Sequence, residues 1–475
     1  MTRTLPVEVW CQIAGLLPLP TAEQPWPIEM ATVSQLCSQL RSITLPRLIE
    51  RIFFMNPTKN RQAHLGNWVE HITNLVATNR LRSRVRKVVV DSRCEQDDCQ
   101  LKYIDFLAAL APLERLLRLT TKLHHLELRR FSVTTGVHAQ IFRLQHLRYL
   151  ELSHTYLPPL SEGENRYKLK ELRSITIRKT LDSMRNDDET IALVNLVRVA
   201  TNLYTLHADE PVLYMLTRQR KRLPVRALIL SLPRDIQGLL RYCPDLISIE
   251  FSLLANSLID QALIPNLEQF TGPIRGVCSY VPGRPVHYLN VAGVSDGDQV
   301  EGAVHAALGA TVKTRAFRAT LATLGSPEFR VRKLARIAAL GDLEMLDIDS
   351  DLGWQSSEEF ARLFTKRLLG SFPKLRRLDI VGTDNNIQLT LTDHIQQRYL
   401  AEHRDPRLQA HWRRMLTQDP PAPTLWEQEL AVLWGERCPD LQFVRWGIWT
   451  WERRRRADKA DEWVPFVRHA DTKFE

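Results

Sequence analysis

The chain has 475 residues, of which 44% are hydrophobic and 25% charged, so it has enough apolar material for a large core and is not a disordered protein. Its 64 basic and 54 acidic residues give a net charge of +10, which we interpret as weak evidence for an anionic partner because the excess is spread widely. The seven cysteines lack the regular spacing of a disulfide framework, which favours reduced thiols in cytoplasm or nucleus. No stretch reaches about 18 uninterrupted apolar residues, so we predict no membrane span.

The first 55 residues are predicted to form a module of three short helices. Pro6 begins the first helix, and apolar residues recur at positions 5, 9, 13, 16 and 17 with helical spacing. A loop from Pro18 to Pro27 precedes a second helix over about Ile28 to Ile43, and a third helix is predicted over Leu48 to Phe54. A bundle this thin gains stability from a partner or from docking on the rest of the chain.

Residues 56–84 are predicted to be a helical connector, because Trp68, Ile72 and Val76 recur at roughly helical spacing. The connector runs into the basic cluster from Arg80 to Lys87. We interpret this cluster as solvated, since it flanks an apolar strand.

A six-residue pattern with apolar first, fourth and sixth positions recurs through the rest of the chain. In its clearest copy, Leu147 to Leu152, the last two leucines alternate with Tyr149 and Glu151, as in a strand with one buried face. Copies begin at Val85, Leu123, Leu147, Leu172, Leu203, Val225, Leu246, Leu267, Val286, Val312, Leu343, Leu375 and Leu441. Spacings of 20 to 29 residues are typical of leucine-rich repeats, and most of the spacings between Leu123 and Leu267 fall in that range.

We therefore predict an α/β leucine-rich-repeat solenoid over residues 85–450, with a parallel sheet on its concave face and helices on its convex face. The copy at Val312 is the weakest, because its fourth position is charged. An insertion is predicted near residues 385–436, with a helix at about Asp393 to Leu416. Residues 451–475 are predicted to be a charged tail, preceded by tryptophans that cap the repeats.

Chemistry-bearing motifs are weak in this sequence. No phosphate-binding glycine loop, nucleophile elbow or zinc-protease helix has its usual spacing, so we predict no enzyme, catalytic residue, cofactor or metal. Cys94 and Cys99 lack a second ligand pair and are interpreted as loop cysteines. The acids from Asp347 to Glu358 resemble a calcium loop, but Leu352 replaces the required glycine, which favours an acidic spot on a strand.

The outward strand positions are the candidate partner-binding residues, because repeats place them on one continuous sheet face that suits a protein ligand. They are His125, Glu127, Tyr149, Glu151, Thr176, Arg178, His207, Glu250, Tyr288, Asp347, Asp349, Arg377 and Asp379. Because these positions are expected to face solvent, charge reversal at Glu127 together with Glu151 should leave folding nearly unchanged while altering partner binding.

The first module resembles the F-box of fungal F-box proteins. The resemblance lies in the run from Leu5 to Val9 (LPVEV), the run from Val33 to Arg41 (VSQLCSQLR) and the closing Leu45 to Ile49 (LPRLI). The turn between the two helices is longer than in the family, and its usual Asp-Leu pair is absent. By matching positions, the resemblance implies that Leu5, Pro6, Val9, Ile13, Val33 and Leu40 contact a ligase adaptor.

The resemblance implies a non-catalytic substrate receptor of a cullin-based (SCF) ubiquitin ligase. In such a receptor the F-box binds the adaptor and the repeats hold a protein substrate. The expected protein is monomeric apart from that complex. The main alternative is a stand-alone leucine-rich-repeat scaffold, and a more distant one is a nucleic-acid-associated protein.

Overall fold

In the computed structural model, the described part of the chain covers fifteen stretches. These are residues 44–55, 63–78, 81–91, 104–130, 132–159, 168–178, 187–230, 236–251, 260–294, 297–321, 327–350, 357–382, 425–446, 449–454 and 462–467. The chain divides into two compact units, unit 1 (Met1–Leu246) and unit 2 (Ile247–Glu475).

Unit 1 contains a parallel sheet whose strands follow one another in chain order. They are β1 Arg51–Met55, β2 Lys87–Asp91, β3 His125–Arg129, β4 Tyr149–Ser153, β5 Ser174–Arg178, β6 Thr205–Ala208 and β7 Ala227–Leu230. Its helices are α1 Ala63–Thr78, α2 Ile104–Leu119, α3 Thr135–Arg143, α4 Asp187–Val199, α5 Glu210–Arg218 and α6 Ile236–Leu240. Helices that follow one another pack together, as α1 does with α2.

Unit 2 repeats the arrangement. Its strands are β8 Ser248–Phe251, β9 Gln269–Pro273, β10 Tyr288–Val294, β11 Ala316–Leu321, β12 Met345–Ser350, β13 Arg377–Gly382, β14 Phe443–Trp446, β15 Trp449–Arg454 and β16 Glu462–Val467. Its α-helices are α7 Ile274–Tyr280, α8 Gly297–Leu308, α9 Pro327–Leu334, α10 Ser357–Arg367 and α11 Leu425–Arg437. Short 3₁₀ helices lie at Gln261–Leu263, Ala335–Ala339 and Leu369–Ser371.

The apolar positions of the six-residue pattern build the core. Counting Leu147 as position 1, positions 1, 4 and 6 are buried in the copies at Leu123, Leu147 and Leu172. Strand pairing sets Leu150 beside both Leu126 and Ile175, so equivalent side chains stack into columns. Alternate side chains of a strand leave the sheet on opposite sides, so each of these strands has one apolar face. That face is buried only when equivalent strands stack beside it.

Each repeat is tied to the next at position 2. The carbonyl of His124 accepts hydrogen bonds from the backbone N–H groups of Arg148 and Tyr149, at 2.8 and 3.0 Å. The carbonyl of Arg148 does the same for Arg173 and Ser174, and the pattern continues through unit 1 and through the parallel strands of unit 2. The predicted α/β leucine-rich-repeat fold is confirmed. Among the described helices, none is long and apolar enough to cross a membrane.

The sheet begins earlier in the chain than predicted. Residues 44–48 are helical, but the helix predicted over Leu48 to Phe54 is wrong, because Arg51–Met55 forms β1. Ile52 and Phe54 are buried and pair with Val88 and Val90. Pairing with β2 therefore overrides the helical spacing of this segment.

The weak copy at Val312 was placed two residues too early. Val312 is exposed, whereas Thr314 is buried in the first position of the β11 repeat. Phe317 and Ala319 then fill the fourth and sixth positions. A threonine and an alanine at apolar positions concealed the true register in the sequence.

The predicted charged tail contains two strands. The strands β15 and β16 are antiparallel, unlike the preceding ones, and β15 pairs with β14. Arg453 belongs to the predicted tail, but its Nη1 donates to the carbonyl of Pro439 at 2.7 Å and its guanidinium lies over the Trp463 ring. Trp446 and Trp451, two of the tryptophans predicted to cap the repeats, are buried, and so is Trp463.

The predicted insertion is only partly covered. Its helix at about Asp393 to Leu416 lies outside the described residues, as do Cys94 and Cys99. The described end of the insertion is α11, which packs against α10. This helix is buried through Trp434, whose indole N–H donates to the Thr365 hydroxyl.

Net charge differs between the two units. Unit 1 holds 35 basic and 24 acidic residues, a net charge of +11, whereas unit 2 holds 29 and 30, a net charge of −1. The expectation that the positive excess is spread widely along the chain is therefore wrong.

Candidate functional site

The candidate site in unit 1 is the sheet face formed by positions 3, 5 and 7. Strand register places the position 5 side chains of Glu127, Glu151, Thr176 and His207 on four adjacent strands, β3 to β6. His125, Tyr149 and Arg178, also predicted from the sequence, occupy positions 3 and 7 of the same strands. The structure thus brings these seven predicted residues onto one face.

Glu127 is the centre of an ionic network on this face. Its Oε1 lies 2.6 Å from Lys87 Nζ and 2.6 Å from His125 Nε2, and its Oε2 lies 2.7 Å from Arg129 Nη2. The residue is only 6% exposed, because these longer side chains cover it.

The cationic neighbours determine the ionisation of Glu127. Burial alone would raise the pKa of this carboxyl, but hydrogen bonds from His125 and Lys87 and the charge of Arg129 lower its pKa to about 2. Glu127 is therefore a carboxylate at pH 7. Glu127 was expected to be solvated, and that expectation is wrong. We therefore expect charge reversal there to destabilise the fold, because a lysine would meet Lys87 and Arg129.

Arg129 extends the network across three strands. Its Nε lies 3.1 Å from Glu151 Oε1, and its Nη1 lies 4.0 Å from Asp91 Oδ2 on β2. The Ser153 hydroxyl also donates to Glu151 Oε1, at 3.0 Å. Burial tends to lower the pKa of Arg129, but the carboxylates of Glu127, Glu151 and Asp91 raise it overall. Side chains held this way lose little conformational entropy when a partner binds.

Tyr149 is the large apolar group that this face presents to solvent. It is 50% exposed, and its ring stacks on His125 with centroids 5.5 Å apart. Between β1 and β2 of the same sheet, Lys87 Nζ lies 5.8 Å from the centroid of the Phe53 ring. An exposed tyrosine on a fixed polar platform is typical of the residues that anchor protein interfaces.

The side chains that β5 and β6 contribute to this face are mostly uncharged. Thr176 is half-buried, Arg178 is exposed, and burial together with the charge of Arg178 lowers the pKa of His207 to about 4. His207 is therefore neutral at pH 7, so this part of the face carries a hydroxyl, one cation and a neutral imidazole.

In unit 2 the corresponding face carries a second set of ion pairs. Arg318 Nε lies 3.3 Å from Asp347 Oδ2, and Arg377 donates through Nε to Asp379 Oδ2 at 3.0 Å. Asp347 and Asp379 are both buried although they were predicted to face outward, because the adjacent arginines cover them. Burial raises the pKa of Tyr288, which also lies on this face.

Three residues of these networks were not predicted from the sequence. Lys87 was interpreted as part of a solvated cluster, although it occupies position 3 of the Val85 copy. Arg318 was missed because outward positions were not read from the weak copy at Val312. Asp91 was missed because the template was read only to its sixth position in that copy; reading the seventh position in every copy would have found it.

Other predicted residues cannot be placed in a site. Leu5, Pro6, Val9, Ile13, Val33 and Leu40 lie outside the described residues. Glu250 lies on β8 and is exposed, and Asp349 lies on β12 at position 7. Within the described stretches, no group of three or more His, Cys, Asp or Glu side chains is arranged to hold a metal ion.

Comparisons with known proteins give no assignment of family. No family model matches the sequence, and no curated protein does either. Among solved structures, the TLR13–ssRNA13 complex matches 62% of this chain at 12% identity with a TM-score of 0.28, and this chain spans 46% of that one. The Leptospira interrogans LRR protein LIC12759 matches 78% of this chain and 91% of its own length, at 12% identity and a TM-score of 0.26.

Proposed function

We propose that this protein binds a protein ligand on the strand face of its leucine-rich repeats and serves as a substrate receptor for a cullin-type ubiquitin ligase. The observation that supports ligand binding is the unit 1 face, where half-exposed Tyr149 lies beside the network centred on Glu127.

A protein ligand suits this face better than a nucleic acid. A phosphate backbone requires a uniformly positive surface. Here carboxylates alternate with cations across β2 to β4, so the local field is of mixed sign. Protein interfaces instead combine aromatic and arginine anchors with a polar surround. Here the ion pairs already fix the arginine, which reduces the entropy lost on binding.

The ligase part of the proposal is supported by the F-box resemblance of the first module. In that family the module binds an adaptor and the ligase chemistry resides in partner subunits, so the receptor needs no catalytic residue. The short helical stretch at residues 44–48 leads directly into β1, which would join the adaptor-binding module to the repeats.

Affinity purification of the full-length chain from cells, followed by mass spectrometry, tests both parts. We expect Leu5→Asp with Val9→Asp to remove the adaptor and to leave the repeat ligand bound. Ala14→Asp is the matched control, because helical spacing puts Ala14 far from the apolar stripe. Conversely, Tyr149→Ser with Thr176→Lys should remove the ligand and leave the adaptor bound.

The results distinguish the two candidate functions. Recovery of the ligand without any adaptor from the wild-type chain would leave the stand-alone scaffold as the function. Equal recovery of every protein with Tyr149→Ser/Thr176→Lys and with wild type would contradict binding on the strand face. Tyr214→Ser is the control for that pair, since Tyr214 is 56% exposed on helix α5.

A further inference from the structure

The edge of the unit 1 sheet at the amino ends of its strands carries a row of basic side chains. These are the position 2 residues, whose carbonyls tie one repeat to the next. From β2 to β7 they are Arg86, His124, Arg148, Arg173, Tyr204 and Arg226. We call these six residues the basic row; strands about 4.8 Å apart give it a length of about 24 Å.

Most of the positive charge of the basic row is not neutralised by the described residues of unit 1. Among the described residues, no carboxylate lies within 4.0 Å of the guanidinium of Arg86, Arg173 or Arg226. Arg86 instead donates to the carbonyl of Lys122 at 3.1 Å and to His124 Nε2 at 3.4 Å. Like charges held this closely repel one another unless an anion approaches.

Arg148 shows how the row accommodates a carboxylate. Its Nε lies 3.5 Å from Glu171 Oε2, and His146 Nδ1 lies 2.9 Å from Glu171 Oε1. One carboxylate is therefore already held in the middle of the row by two basic side chains.

The equivalent edge of unit 2 provides an internal comparison. Its position 2 residues include Arg315, Glu344 and Arg376, and the Glu344 carboxylate lies 4.0 Å from Arg315 Nε and 3.9 Å from Arg376 Nη1. Two residues before Glu344, Asp342 pairs with Lys313 and Lys374. Among the described residues, the same edge is thus internally neutralised in unit 2 and cationic in unit 1.

We propose that the basic row of unit 1 is a docking site for an acidic, extended segment of a partner protein. A length of about 24 Å matches about seven extended residues. The Glu171 carboxylate beside Arg148 interrupts the positive charge of the row. A peptide with separated acidic side chains can place an uncharged residue there, whereas a continuous phosphate chain cannot. Exposed Tyr204, in the same row, offers apolar contact area to a peptide.

This docking site goes beyond the strand face, since position 2 residues are not among positions 3, 5 and 7. A failure of one can therefore be told from a failure of the other. Variants of the basic row should leave strand-face ligands bound unless both surfaces contact the same protein.

The test uses the full-length chain and a fluorescent decapeptide of alternating Glu and Ser, with Gln in place of Glu in the neutral control peptide. At 150 mM salt we expect the acidic peptide to bind by fluorescence anisotropy and the neutral one not to bind. Arg173→Ser with Arg226→Ser should weaken binding about fivefold or more. Arg198→Ser with Arg241→Ser removes the same charge from two residues outside the row and should change binding less than twofold.

Histidine NMR gives a second readout that does not depend on those variants. Burial and the charges of Arg86, Arg148 and His146 lower the pKa of His124, whereas the charge of Glu171 raises it; the net effect is a lowered pKa. A bound acidic peptide should raise the pKa of His124. Failure of the wild-type chain to bind the peptide, equal loss in the control variant, or tighter binding of a labelled uridine decanucleotide at the same salt would each overturn the proposal.

Discussion

Glu127 shows how a single position can be misjudged from its strand pattern. It alternates with Leu126 and Leu128 and therefore faces away from the core, yet it is buried under Lys87 and Arg129. Tyr149, with the same kind of alternation, is half exposed. The period of two predicts which side of a sheet a residue faces. It does not predict exposure, which depends on the length of side chains on neighbouring strands.

Neutralising this carboxylate should lower stability in a pH-dependent way. The folded pKa of Glu127, about 2, lies below its ordinary value of 4.5, so its contribution is present above pH 4.5 and is lost as the pH falls toward 2. We expect Glu127→Gln to reduce the free energy of unfolding at pH 7 by on the order of 2 to 3 kcal/mol. The difference from wild type should shrink markedly by pH 3.

Thermal unfolding followed by circular dichroism at pH 7 and pH 3 checks this expectation. A matched control is Glu171→Gln, since Glu171 lies at the exposed sheet edge. Equal melting temperatures for wild type and Glu127→Gln at pH 7 would show that the network does not contribute to folding.

At the scale of the secondary-structure elements, the stacked columns of apolar side chains stabilise the repeats. Leu150 lies between Leu126 and Ile175 and is buried, whereas adjacent Tyr149 faces solvent. Leu150→Ala should lower the free energy of unfolding by about 2 to 5 kcal/mol, because it leaves a cavity in a column. Tyr149→Ala should cost much less. Urea unfolding of the two variants checks this, and similar losses would mean that the two sides of β4 are assigned the wrong way round.

Strand β1 is an element that sequence reasoning missed. The segment from Leu48 to Phe54 has helix-compatible spacing, but Ile49, Ile52 and Phe54 also fit positions 1, 4 and 6 of the repeat. The repeat template starts at this segment and could have predicted the strand. The helical interpretation prevailed because the preceding module was read as an all-helical bundle.

A large-to-small substitution in β1 tests that assignment. Phe54 is buried at position 6 and pairs with Val90. Phe54→Ala should therefore lower the free energy of unfolding by about 3 to 5 kcal/mol. Urea unfolding with Arg51→Ala as the exposed control checks it, and a loss no larger than that of the control would exclude β1 from the cooperative core. Because β1 belongs to the repeats, a variant that lacks the first module should lose residues 1–43 and not residues 1–55.

At the scale of the whole molecule, the repeat architecture could be predicted because its signal recurs many times. Most copies were placed in their true register by leucines and isoleucines at positions 1, 4 and 6. The Val312 copy was misplaced where Thr314 and Ala319 occupy such positions. The ion-pair networks and the basic row could not be predicted in the same way, because they depend on which residues lie side by side on different strands.

The central claim is that the unit 1 strand face binds another protein. A photo-crosslinking amino acid in place of Tyr149, in the full-length chain in cells, tests it most directly. The matched control position is Tyr214, which is similarly exposed but lies on helix α5. We predict a discrete crosslinked protein from position 149 that is absent from position 214 and is lost when Thr176→Lys is added. No crosslink from position 149, or the same products from both positions, would contradict the claim.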